Sequence, residues 1–395
     1  QPLDAVYLQI LKNLCTDLSE PVPLDGVDPS ALYRLAEKHC SLPFLLPYFE
    51  QQPQFSALKQ QTKQMLLSYY QLEHFTRLTF SLLLAEKILL FLKGISLAAN
   101  YPIPEYRKLG DLDLYIPEKD AFSRACRILN AHGYTEEPEE SDHHVTYRFT
   151  FPETGRSFTL ELHYRIVGIY QFSRANELVD EIFSASHLKP SFVELYGQTY
   201  PVLPPTENVF YMLHHMLKHY LYSVLAAVCS AISLCIWNVM PPRLILKKIH
   251  FWCRESKIFH LYELILESCR IYFGFLPPLI AGSLPASDCA IFLEKILADG
   301  DFGSDTQRKI VSSGSYQHTG IHAWFHEGHI QMKLRFPKLH KCVLLWPVLW
   351  VITFFCFLSN TYRIRHTTLR QTLADFRADN RKTKLLKIFD NNDLQ

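Results

Sequence analysis

Asp111 and Asp113 flank a single leucine in the short apolar run 111–116, directly after Gly110. Side chains alternate along a strand, so both carboxylates face one way while Leu112, Leu114 and Ile116 turn into a core. The run 157–166 alternates in the same manner. It places Phe158, Leu160, Leu162 and Tyr164 on one face and Thr159, Glu161, His163 and Arg165 on the other. If the two strands are neighbours, Asp111, Asp113 and Glu161 converge. Like-charged carboxylates packed together are costly unless a cation neutralises them, and hard divalent ions such as Mg²⁺ or Mn²⁺ prefer carboxylate oxygens. Two such ions about 3.5–4 Å apart can hold the attacking and leaving oxygens of an in-line phosphoryl displacement. The three acids are therefore the expected metal ligands and catalytic carboxylates. His163 and Arg165 are expected in the same cleft, where His163 either orients an acceptor and shuttles a proton or holds the Glu161 rotamer.

Other polar groups compete for attention. Arg107 and Lys108, just before the first strand, read either as phosphate partners or as a solvated loop edge. His214, His215, Lys218 and His219 open a helical region; zinc needs further ligands, so helix histidines are the favoured reading there. The series His318, His322, His326 and His329 has helical spacing and is the rival metal motif, although Gly320 and Gly328 weaken such a helix. Residues 361–388 hold eight Lys and Arg against two Asp, interleaved with Leu369, Leu373, Phe376, Leu385 and Leu386. An amphipathic helix there presents a basic face to RNA, anionic lipid or an acidic partner, or simply to solvent.

The surrounding pattern shows what must position these groups. Leu3, Val6, Tyr7, Ile10, Leu11 and Leu14 fall at helical spacing, as do Leu66, Leu67, Tyr70, His74 and Leu78, so residues 1–92 read as an N-terminal helical region. Residues 93–200 read as a small mixed core. It comprises the aspartate strand, a helix over 117–132 stopped at Gly133, and a hairpin of 145–151 and 157–166 turned by Pro152-Glu153-Thr154-Gly155. Residues 201–395 return to long helical patterns broken at Pro241-Pro242, Pro277-Pro278 and Pro337. The expected class is α+β, a small mixed sheet flanked by helical regions.

Composition narrows the classes. With 395 residues, 48% hydrophobic and 20% charged, the chain has enough apolar residues for a sizeable core and is not disordered. The formal charge of +1 argues against a surface built wholly for nucleic acid, but it hides a balance of −5 over residues 93–187. Ten dispersed cysteines without a C-x-x-C pair suit free thiols in a reducing cytoplasm, and residues 1–20 mix charges with apolar residues, unlike a secretory signal. Two uncharged stretches, 221–240 and 342–358, have the length of a membrane span or fall just short of it, and core helices give the same signal.

The run Gly110-Asp111-Leu112-Asp113-Leu114, preceded by Leu92-Lys93-Gly94 and followed by Ala131-His132-Gly133-Tyr134 and Leu160-Glu161-Leu162-His163, resembles the uncharacterised nucleotidyltransferase family of the DNA polymerase β-like superfamily. The resemblance is sharpest over residues 92–165. It implies a small twisted sheet flanked by helices, and transfer of a nucleoside monophosphate from an NTP to an acceptor such as tRNA, protein, sugar or peptide. Asp111 and Asp113 are then the ligands of both metals and Glu161 the acid that helps activate the acceptor hydroxyl. Lys93 and Gly94 stand where the family's phosphate-holding Gly-Ser turn lies, with Ser96 two residues beyond the glycine, and Lys218 on a helix that closes over the nucleotide. The competing expectation is an inactive nucleotide-binding or protein-interaction module with a membrane-docking helical domain.

Overall fold

A computed structural model describes residues 3–16, 22–39, 41–51, 56–85, 89–138, 141–170, 172–222, 244–273, 284–299 and 339–365, with 325, 328–329, 331–333 and 335–336. The helices are α1 (Leu3–Thr16), α2 (Pro29–Lys38), α3 (Leu46–Gln51), α4 (Ser56–Leu83), α5 (Gly94–Ala98), α6 (Lys119–Ala131), α7 (Ser173–Ile182), α8 (Pro205–Tyr222), α9 (Leu244–Glu255), α10 (Phe259–Phe273), α11 (Ala286–Asp299) and α12 (Trp346–Arg365). The strands are β1 (Leu90–Phe91), β2 (Leu112–Tyr115), β3 (Thr135–Glu136), β4 (His144–Thr150), β5 (Ser157–His163), β6 (Ser191–Leu195) and β7 (Gln198–Val202).

All seven strands form one mixed sheet in the order β3-β4-β5-β2-β1-β7-β6. The β2–β5 and β1–β7 pairs are parallel and the remaining four antiparallel. The class is α+β, as expected. Alternation decides which side of the sheet each residue serves. Leu112, Leu114, Leu160 and Leu162 turn to one face, where they pack with Phe75 of α4 and with Ala121, Ala125 and Leu129 of α6. The spacing of those α6 residues puts two small side chains and one leucine on a single helix face, which lets the helix lie close to the sheet. Its start is held by the Glu118 carboxylate, which accepts the amides of Asp120 at 3.0 Å and Ala121 at 2.8 Å. It ends at Gly133, whose φ of 84° is the left-handed stop expected from the sequence.

The opposite face of the sheet lies under the larger helical core. Tyr115, Ile166, Val167 and Tyr170 share that core with side chains of α1, α2 and α7–α11, so helices from before and after the sheet contribute to it. Lys38 Nζ donates to the Leu297 carbonyl at 3.1 Å, tying the end of α2 to α11. Each fully buried aliphatic side chain in these layers contributes roughly 1.5–3 kcal/mol, which sets the scale against which buried charges must be weighed.

The 342–358 stretch forms a 3-10 turn, Val343–Leu345, and the first part of α12. Of the 221–240 stretch, residues 223–240 lie outside the described residues. No described helix is long and apolar enough to cross a membrane. Among the described residues Cys126, Cys253, Cys269, Cys289, Cys342 and Cys356 carry free thiols.

Candidate active site at the β2–β5 seam

Parallel pairing of β2 with β5 sets Asp113 directly opposite Glu161 and Tyr115 opposite His163. On the other side of β5, antiparallel pairing with β4 sets Thr146 opposite Glu161 and His144 opposite His163. Register alone therefore collects two carboxylates and two imidazoles on the face beneath the helical core. Asp113 is almost wholly buried, at 1% exposure.

A third element reaches the same point. Leu92, just after β1, donates its amide to the Asp113 carbonyl at 3.0 Å, so the chain turns into α5 right beside Asp113. The turn is made by Lys93 at φ 38° and Gly94 at φ 24°, a left-handed pair that an L side chain rarely adopts. Lys93 Nζ then stands 2.8 Å from Asp113 Oδ1. His163 Nε2 lies 3.3 Å from that same oxygen and 3.3 Å from Glu161 Oε2, and His144 Nε2 is 4.0 Å from Glu161 Oε1.

The electrostatics follow from this crowding. Burial disfavours the Lys93 charge, but Asp113, with Tyr211, Asp111 and Glu161 beyond it, holds its pKa well above the ordinary value. Asp111 is pushed up to about 6, first by the Asp113 charge and then by burial. Burial also opposes the Glu161 charge, yet the His163 hydrogen bond and the charges of Lys93, His163 and His144 hold its carboxyl far below the usual range. His163 is raised because hydrogen bonds to Asp113 and Glu161 outweigh its burial. Lys93 thus offsets the Asp113 charge, and His163 Nε2 lies within 3.3 Å of both Asp113 and Glu161.

Of the other expected residues, Asp111 stands near enough to feel the charges of Asp113, Lys93 and Glu161, while several others sit elsewhere. Asp111 precedes β2, which begins at Leu112, so strand alternation does not govern it; Asp113, Glu161 and His163 form a group whose ligand atoms lie within 4.8 Å of one another, and Asp111 is outside it. The expectation that Arg165 enters the cleft is corrected: β5 ends at His163, and Arg165 pairs with Asp180 at 2.7 Å while donating to the carbonyls of Val167 and Gly168. Ser96 Oγ donates to the Lys93 carbonyl at 2.6 Å, inside the turn. Arg107 donates to the Lys108 carbonyl at 3.2 Å, and Lys108 is exposed. Lys218 is on α8, but its side chain, like that of His219, lies outside the described residues.

His214 is buried against Tyr170, whose hydroxyl is 2.9 Å from Nδ1, and His215 is half-buried near the Tyr211 ring. Neither belongs to a metal-competent group among the described residues. In the second histidine series His318, His322 and His326 lie outside the described residues, while His329 accepts from the Trp350 indole at 3.3 Å. The basic segment from 366 onward is also outside them.

Sequence reasoning missed two members of the site, His143 and His144. Their signal was the run Ser141-Asp142-His143-His144 at the head of the hairpin, where β4 begins at His144 and pairs it opposite His163. It also gave Lys93 to a phosphate without anticipating its pairing with Asp113.

A search of the curated proteins found no match. Among solved structures the chain is similar to an antigenic nucleotidyltransferase-like protein from Paracoccidioides brasiliensis, at 12% identity and a TM-score of 0.29, over 48% of this chain and 89% of that one. A family model described as uncharacterised nucleotidyltransferase matches residues 25–273. That span holds Lys93, Asp111, Asp113, Glu161 and His163 together with the whole sheet. The chain belongs to the uncharacterised nucleotidyltransferase family.

Proposed function

We propose that the protein transfers a nucleoside monophosphate from an NTP to an acceptor, with Asp111, Asp113 and Glu161 as the carboxylates that hold Mg²⁺ or Mn²⁺. The observation that carries this reading is Asp113 facing Glu161 across β2 and β5 while its Oδ2 is buried without a hydrogen-bond partner. An orphaned carboxylate oxygen in so dry a place is an acceptor that a hard cation satisfies, so the donor set fits. Bound there, the cation supplies the positive charge that a triphosphate and its transferring phosphoryl group need.

The protein's own residues position and neutralise. Lys93 and His163 hold Asp113 Oδ1 in place from two sides, and His163 fixes Glu161 as well. In this reading Lys93, Gly94, Arg107, Lys108 and Lys218 receive the phosphates, and Ser96 acts through the Lys93 carbonyl it binds. Little covalent chemistry is asked of the protein, because phosphoryl transfer rests on positioning and electrostatic stabilisation. The acceptor class is tRNA, protein, a sugar or a peptide, and the excess of Lys and Arg over residues 361–388 supports an RNA or protein among these.

The test is transfer of label from each of the four NTPs to a fractionated cell extract. Asp113→Asn should lower transfer by at least about 10³-fold and Glu161→Gln by about 10²-fold, with circular dichroism confirming that each variant is folded. Full transfer by a folded Asp113→Asn protein would overturn the reading.

One observation favours a second reading, a module that binds nucleotide without catalysis: the Lys93 ammonium already meets Asp113 at 2.8 Å. Calorimetry separates the two. Nucleotide uptake indifferent to Mg²⁺ favours the module, and uptake that requires Mg²⁺ favours the enzyme.

A further inference from the structure

Beside the carboxylates lies a cluster of different chemistry. The start of β4 and the end of β5 bring three buried imidazoles together, with ring centroids 4.4 Å apart for His143 and His144, 5.0 Å for His144 and His163, and 5.5 Å for His143 and His163. One ring nitrogen from each lies within 4.8 Å of the others.

Their outer partners are those of metal-binding histidines. A histidine that ligates through one nitrogen commonly donates the other N–H to a carboxylate, which sets both tautomer and ring orientation. His143 Nδ1 is 2.7 Å from Asp142 Oδ1, and the other oxygen of Asp142 is anchored by the Ile169 amide at 2.8 Å. A proton on Nδ1 leaves the lone pair on Nε2. His163 turns Nε2 toward Asp113 and Glu161, and its Nδ1 is buried with no hydrogen-bond partner. Ser141 Oγ sits 3.1 Å from His144 Nδ1 and steadies the third ring.

We propose that His143, His144 and His163 form a second, nitrogen-rich metal site, suited to a borderline transition ion such as Zn²⁺ rather than to Mg²⁺. Imidazole nitrogens favour Zn²⁺ where carboxylates favour Mg²⁺, and three protein ligands leave a fourth position for water, a phosphate oxygen or Glu161. Zn²⁺ there ties the head of β4 to the end of β5 and so fixes His163, the residue that orients Asp113 and Glu161. The site rests on these residues' geometry and is independent of whether the chain transfers nucleotides.

The test uses the full chain stripped of metal and titrated with Zn²⁺, with Co²⁺ as the spectroscopic probe. One equivalent of Zn²⁺ should bind in the presence of excess Mg²⁺, and X-ray absorption of the zinc-loaded wild type should show imidazole ligands. The paired change His143→Gln with His144→Gln should weaken Zn²⁺ binding by at least about 10²-fold, whereas Asp111→Asn should leave it unchanged. An all-oxygen shell in the wild type overturns the proposal even if the double variant fails to fold. So does undiminished Zn²⁺ affinity in a folded double variant, or no uptake at micromolar Zn²⁺. None of these readouts involves nucleotide transfer, so failure of this site and failure of the transfer reading are separable.

Discussion

Two histidines are buried to nearly the same degree in this protein and respond to burial in opposite ways. His214, in the helical core, is enclosed by the Phe210 ring at 4.6 Å and the Tyr170 ring at 5.2 Å, and its pKa falls to about 3 through burial, with a further push from Arg165. His163, on the sheet face, is raised, because hydrogen bonds to Asp113 and Glu161 outweigh the same desolvation. Aromatic neighbours ask for the neutral ring and carboxylates ask for the cation. The difference teaches that burial by itself does not mark a functional polar residue. What separates the sheet face from the helical core is several charged groups held together, a costly arrangement for stability alone; a buried ring nitrogen without a hydrogen-bond partner does not, since His214 Nε2 is one as well as His163 Nδ1.

The largest expected effect breaks the charge balance on the sheet face. Lys93→Met leaves the buried Asp113 carboxylate without its nearest cation and should cost about 3–5 kcal/mol in urea unfolding. A neutral result would mean that the seam is wetter and less electrostatic than its geometry implies. The next effect lies in the helical core and concerns pH. The folded-state pKa of His214 lies below the unfolded value of about 6.5, so its contribution is fully present above that pH and is lost as pH falls toward 3. Between pH 7.5 and 5 the stability of the wild type should fall by about 2 kcal/mol more than that of His214→Gln. A pH-independent difference between the two proteins would show that the ring is not kept neutral by folding. The smallest effect concerns the turn that delivers Lys93. Ser96→Ala removes the hydroxyl that donates to the Lys93 carbonyl at 2.6 Å and should lower stability by about 1 kcal/mol, read as a small drop in Tm.

Particular residues show how far the sequence could be read. Glu161 is legible on its strand face because period-two alternation is local, and Leu160 and Leu162 beside it are buried in the core. Gly133 was legible as a helix stop because only its backbone conformation is at issue. Arg165 departs from the alternation because strand termination is not local: β5 ends at His163, where the chain bends and Arg165 finds Asp180 and the carbonyls of Val167 and Gly168. His143 and His144 are not legible in the sequence because their meaning depends on the hairpin register, and the alternating pattern starts at Val145 whereas β4 starts at His144.

The sequence by itself determined the currency of the site: carboxylates alternating with leucines on short strands, a lysine and glycine ahead of them, and helical regions on both sides. Tertiary structure decided the pairing. Sheet order made β2 and β5 neighbours, β1 carried Lys93 to Asp113, and the β4–β5 register gathered three imidazoles beside two carboxylates. The physical reason is that side-chain direction follows from a residue's own backbone, whereas charge state and ligand geometry depend on partners about 20 to 70 residues away in the chain that only the closed sheet brings within a few ångströms.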